Sequence, residues 1–264
     1  MTPSTTGWNK LLRALLPPLF WLGVWQGAAW LVELGVEGRG NELLLPYPLT
    51  VLRALLELAR ETEFWASAAA SLGRVLIGMA AGTLLAALLS AAAWASAWTR
   101  RLFAPAIRVV RATPVASFIL LVLLWTDRNF VPAVIAALMV LPVVWENLVR
   151  GLDEVDGQLV ELGQAYHLSP AKMLTLIYLP SLRPYFLSAV TTAMGLAWKS
   201  GVAAEVLCLP RQALGTQIYN TKYYLEVPQL FAWTAVVVVL SLVLERLLRL
   251  VLGRWGEGRP SCSK

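Results

Sequence analysis

The sequence predicts an all-α polytopic membrane protein with about six transmembrane helices and a cytoplasmic helical hairpin. Three observations carry that prediction. Hydrophobic residues make up 58% of the chain and charged residues 14%, whereas a soluble domain carries about 25% charged residues. The apolar residues fall in runs long enough to cross a bilayer core, which takes about 20 helical residues. Short polar segments separate the runs, and Lys and Arg are shared unevenly among those segments. Six spans use about half of the 264 residues, so residues 1–264 read as a single membrane domain. The net charge of +6 calls for no nucleic acid. The basic residues are scattered between apolar runs, and a membrane chain gathers them on its cytoplasmic side.

The first span runs from about Leu15 to Val32, after Lys10 and Arg13. A polar stretch with Glu33, Glu37, Arg39, Asn41 and Glu42 follows. In Leu43–Arg60, apolar Val51, Leu52, Leu55, Leu56 and Leu58 alternate with Arg53, Glu57 and Arg60 at helical spacing. This segment is too short and too charged to span, and it predicts an interfacial helix. The second span, Val75–Thr99, carries no charge and is rich in small residues, Gly78 and Gly82 among them. Small residues let helices approach closely in a membrane. The third is ambiguous, because Arg108 and Arg111 interrupt the approach to Ala112–Thr126. Either one helix starts near Pro105, or a short surface helix leads into a short span. The fourth covers about Asn129–Trp145, the fifth Pro184–Leu209 and the sixth Val227–Leu244, before a basic tail.

Trp65, Trp94, Trp98, Trp125 and Trp145 sit near the ends of these spans, as an aromatic belt requires. Arg74 is expected to snorkel at the outer interface. The Arg100–Arg101 turn and the tail are basic, whereas Glu33–Glu63 is acidic. With six spans, that bias puts both termini and the loop at about 150–180 in the cytoplasm. The two cysteines, Cys208 and Cys262, are too few for a disulfide framework or a metal site, and the topology separates them by the bilayer.

The 150–180 loop predicts two helices. Leu152, Val155, Leu159, Leu162 and Tyr166 form one stripe. Ser169 is suited to an N-cap and Pro170 to a first helical position, opening a second helix to Tyr178 before Leu179-Pro180. Its sequence from Glu161 to Pro180 is ELGQAYHLSPAKMLTLIYLP. This resembles the signature loop of permease subunits of binding-protein-dependent ABC importers, which runs Glu-Ala-Ala-x3-Gly-x9-Ile-x-Leu-Pro. Glu161, Ile177, Leu179 and Pro180 match, whereas Leu162 and Gly163 replace the two Ala and His167 replaces Gly. A turn at that position wants φ > 0, which His tolerates better than most residues. The segments LPYPLTVL, SLGRVLIG, RATPVASFILLVLLW and AWKSGVAAEVL are similar, in order, to the nitrate/sulfonate/taurine branch.

That resemblance implies a permease subunit of an ATP-driven importer in a prokaryotic cell membrane. It implies a second permease copy as a homodimer, cytoplasmic ATP-binding subunits that receive the hairpin, and an extracytoplasmic solute-binding protein. The cargo would be a small anionic or vitamin-like solute. The ATPase-coupling residues would be Glu161, Leu162, Gly163, His167, Ile177, Leu179 and Pro180. ATP and Mg would be held by the partner, so this chain is expected to need no cofactor or metal and to be no enzyme. The sequence agrees: it has no glycine-rich phosphate loop and one histidine. A membrane-embedded enzyme would need several catalytic groups at one depth, and an ion-coupled secondary transporter would show related halves. The ionisable residues deep in a span are Lys199 and Glu205 of the fifth. Such residues face an interior or a cavity and find partners, so both are candidates to line the pathway.

Overall fold

The computed structural model describes residues 7–35 and 43–256, and every described element is helical. Glu37, Arg39, Asn41, Glu42 and Cys262 lie outside the described residues. In chain order the helices are α1 (Gly7–Gly35), α2 (Pro48–Leu58), α3 (Thr62–Ala95), α4 (Ala97–Ala112), α5 (Val115–Leu123) and α6 (Val131–Asp153). Then come α7 (Gly157–Ala165), α8 (Pro170–Met173), a π-helical turn (Leu174–Tyr178), α9 (Leu179–Cys208), α10 (Leu214–Tyr223) and α11 (Val227–Gly256).

Four segments are each long and apolar enough to cross a membrane: Leu15–Gly35, α3, α6 and the continuous Pro170–Cys208. The α4–α5 pair makes a fifth if it is counted as one broken span. α11 is 30 residues long and carries no charge from Val227 to Leu244. The third span is therefore not a straight helix. α4 and α5 meet at a 103° bend, because Pro114 has no N–H to continue the ladder and disfavours helical geometry at Thr113. Thr113 is extended, with ψ 132°. A separate helix does precede the break, but at 16 residues it is longer than the 9-residue α5 that follows, so neither sequence reading holds in full.

The chain divides into two compact units, Met1–Trp65 with Gln217–Val236 and Ala66–Thr216 with Val237–Lys264. The first is held by aromatic contacts. Trp25 stacks on Phe231 with centroids 5.9 Å apart, and Phe64 stacks on Trp233 at 5.1 Å. The Trp25 indole N–H donates to the Pro46 carbonyl at 3.1 Å, which fixes the entry into α2. That helix buries Val51, Ala54 and Leu58, one stripe of an amphipathic helix. Gln217 donates to Glu63 at 2.9 Å.

The second unit is built on α3, α6 and α9. α6 and α9 run antiparallel. Tyr185 donates its hydroxyl to Glu154 at one end, while Ala204 and Cys208 pack with Val131 and Ile135 at the other. α5 joins there through Ile119 and Val122. α3 lies against α6 with almost no space: a Cβ on Gly78 would overlap the Ala133 carbonyl, and one on Gly82 the Ala137 carbonyl. This is the small-residue packing that a bilayer demands, since apolar burial does not drive helices together in lipid. α4 is pinned to α6 by Arg100–Asp153, with N–O distances of 2.8 and 2.6 Å, and by an Arg111–Glu146 ion pair.

Two sequence expectations are corrected here. Trp145 is buried in mid-α6 rather than at an interface, whereas Trp65, Trp94, Trp98 and Trp125 are exposed. Arg74 does not snorkel to the surface; it is turned inward to protein partners. Gly78→Val should separate α3 from α6. The expected result is a loss of about 1–3 kcal/mol, the usual cost of overpacking, read as a lowered melting temperature of the detergent-purified protein. Val75→Ile, on the same helix, should be the milder of the two.

Candidate functional site

The hairpin after α6 carries large apolar side chains on its outer surface. α6 ends at Asp153, and Asp156 caps α7 by accepting the Gln158 N–H at 2.9 Å. The expected stripe from Leu152 to Tyr166 is thus not on one helix. Its later members do not pack inside the hairpin: Leu159 and Leu162 of α7 are about half exposed, and Tyr166, just past its end, is 75% exposed. The packed position is Gly163, where a Cβ would overlap the Met173 sulfur and the Ile177 side chain. The absent side chain lets α7 close on the second helix.

His167 sits at φ 51°. Its N–H reaches the Gln164 carbonyl at 2.9 Å and the Leu168 N–H reaches the Gly163 carbonyl at 3.0 Å. This pair of bonds is a Schellman termination, which places one residue in the left-handed region. Ser169 then caps α8, accepting the Lys172 N–H at 3.4 Å. The second helix does not stop at Leu179-Pro180. Pro180 cannot donate to Leu176, and the backbone widens into the π turn, where the Leu179 N–H bonds Leu174. The Ser181 hydroxyl satisfies the Ile177 carbonyl at 2.7 Å. Ile177 is buried and Leu179 exposed, and Glu161 is exposed and makes no ion pair among the described residues.

α9 has two contrasting faces. Ala189, Ala193, Ala197, Trp198, Gly201 and Ala204 are buried. The opposite stripe, Ser188, Thr192, Leu196, Lys199, Ala203 and Leu207, is exposed. Lys199 lies between the Tyr185–Glu154 end and the Cys208–Val131 end, and it has no acidic partner among the described residues. Glu205, six residues on and about 120° around the helix, is fully buried. One oxygen meets Arg74 Nη1 at 3.3 Å; the other accepts the Ser71 hydroxyl at 2.7 Å and the Gly215 N–H at 3.1 Å. Glu205 therefore does not face an opening, and the pathway reading of that residue is corrected to a buried pair; Lys199 keeps an open face. Arg74 also donates to the Arg211 carbonyl at 2.6 Å and the Gln212 carbonyl at 3.1 Å. Sequence reasoning missed Ser71 and gave Arg74 the wrong surroundings. Helical spacing puts them on one face of α3, and that was the available signal.

Residues 76–256 match the family described as binding-protein-dependent transport system inner membrane component. The permease protein SsuC of Escherichia coli (strain K12), named for aliphatic sulfonates transport, is 28% identical over 94% of this chain and 89% of its own length. The taurine transport system permease protein TauC of the same strain is 26% identical, covering 79% of this chain and 78% of its own. The bicarbonate transport system permease protein CmpB of Synechocystis sp. (strain ATCC 27184 / PCC 6803 / Kazusa) is 27% identical over 83% and 80%. The match covers α3 from Leu76 through α11, and so takes in the hairpin and both faces of α9. The chain belongs to the binding-protein-dependent transport system inner membrane component family, as a multi-pass permease subunit of an ABC importer that works with ATP-binding subunits and a solute-binding protein.

Proposed function

We propose that this permease imports a small oxyanion-bearing solute along a route lined by the exposed face of α9. Lys199 carries the reading. An ammonium facing hydrocarbon at mid-span costs about 2.5–3.5 kcal/mol on insertion scales. Its stripe mixes Ser188, Thr192 and Ala203 with Leu196 and Leu207, whereas the exposed face of α1 is Leu15, Leu16, Leu19 and Phe20 throughout. α1 has the composition of a lipid-facing surface; the α9 stripe has that of a surface facing water or another protein. A second copy of the chain in a homodimer supplies the facing wall. The relatives are named for sulfonates, taurine and bicarbonate, solutes that each carry an oxyanion, and a lone ammonium suits that charge.

The hairpin docks on the ATP-binding subunit through Glu161, Leu159, Leu162 and Tyr166, with Gly163, His167 and Ile177 holding its shape. Leu179 and Pro180 lead its second helix straight into α9. ATP and Mg bind the partner and not this chain. Both termini lie in the cytoplasm of a prokaryotic cell, as the basic tail supports, and an extracytoplasmic binding protein delivers the solute.

Two substitutions separate the two surfaces. In proteoliposomes holding the full transporter, Lys199→Met should cut anion uptake at least about tenfold while assembly with the ATP-binding subunits is unchanged; normal uptake would sink the pathway role. Leu162→Asp should leave the inserted chain folded but lower its co-purification with the ATP-binding subunits. Full recovery of the complex would rule out docking through that face.

A further inference from the structure

The buried pair of α3 and α9 does more than neutralise charge, because of what it grips. Segment 209–213 links α9 to α10, and two of its non-glycine residues are left-handed: Leu209 at φ 50° and Gln212 at φ 47°. Such geometry persists only where its surroundings over-determine it. Here they do. Arg74 holds the Arg211 and Gln212 carbonyls, Ser71 accepts the Leu214 N–H at 2.9 Å, and Glu205 accepts the Gly215 N–H. The Arg211 N–H reaches Asn129 at 3.0 Å, so the segment is also tied to the connection before α6. At its other end α9 continues without a break into α8 of the hairpin, one rod from Pro170 to Cys208.

We propose that Ser71, Arg74 and Glu205 are positioning residues that make segment 209–215 move as one body with the far end of α9. Displacement of the hairpin then reaches the mouth of the pathway on the opposite side of the membrane. The inference rests on the reading that the hairpin receives the ATP-binding subunit. A guanidinium is required because two of its nitrogens serve three acceptors at once, which an ammonium on a single nitrogen does not reproduce.

The test uses the whole transporter, with its ATP-binding subunits, in lipid. Spin labels are placed singly at Gln158→Cys in the hairpin and at Arg211→Cys in the gripped segment, in a Cys208→Ser, Cys262→Ser background. Spectra are compared with and without a non-hydrolysable ATP analogue and Mg. With the grip intact, both labels should respond. In Arg74→Lys and Glu205→Gln the Gln158→Cys label should respond as before, while the Arg211→Cys response is lost. A purely structural role would lower the melting temperature and leave the Arg211→Cys response in place, which overturns the proposal. Should Glu205→Gln fail to assemble, Arg74→Lys, which keeps the charge, decides the matter alone. A silent Gln158→Cys label in the parent would overturn the docking reading and the inference with it, and is told apart by which label fails.

Discussion

A carboxylate fully buried in a protein has no water to turn to, and the second unit is arranged around that constraint. Glu205 is enclosed, and its two oxygens are satisfied by α3, by the start of α10 and by an arginine. Removing one partner of a buried pair costs about 3–5 kcal/mol, because the other charge stays buried. The pair therefore fixes the register of α3 against α9. Gly78 and Gly82 fix α3 against α6, and the Val131–Cys208 end fixes α6 against α9. Three helices locked pairwise leave little freedom for sliding, and the faces they do not use become available for function.

Helix content and the place of the hairpin were legible because hydropathy over twenty residues is a strong signal; six spans were expected, whereas the length and hydropathy of the described helices give four, or five if the bent α4–α5 pair counts as one. The broken third segment was half legible: Arg108 and Arg111 announced trouble, but a one-dimensional pattern does not say which way a chain turns after a proline. Arg74 was misread because a single arginine near a span end looks the same whether it snorkels or turns inward. Only the burial of Glu205, more than a hundred residues away, decides it. Trp145 was misread for the related reason that belt and core tryptophans are identical in sequence.

The hairpin shows how far a motif match reaches. Spacing located its positions, and His167 in place of Gly is accommodated because the Schellman turn needs a residue that tolerates φ 51°. Which face of α7 packs inward was not legible. Hydrophobic periodicity argues for burying Leu159, Leu162 and Tyr166, yet Gly163 is the position pressed against Met173 and Ile177. A glycine contributes nothing to periodicity, so close packing through it is invisible to that method. The consequence is functional: three large side chains are left outside, an arrangement that costs solvation unless a partner covers them.

The same reasoning separates the two charges of α9. Both are expensive in a membrane, and each has to be matched by protein or water. Glu205 is matched within its own unit, at the end of α9 where the chain turns. Lys199 is matched by nothing among the described residues, and it shares its stripe with small or polar Ser188, Thr192 and Ala203 as well as Leu196 and Leu207. A helix that satisfied every charge internally would be a structural post. A helix that satisfied none would not insert. α9 holds one charge in a fixed grip and keeps the other on an open face, and it is continuous with the hairpin through a π turn, a local widening that recurs at functional sites. The result is a rod held at one end, continuous with the hairpin at the other, with an unmatched ammonium in between.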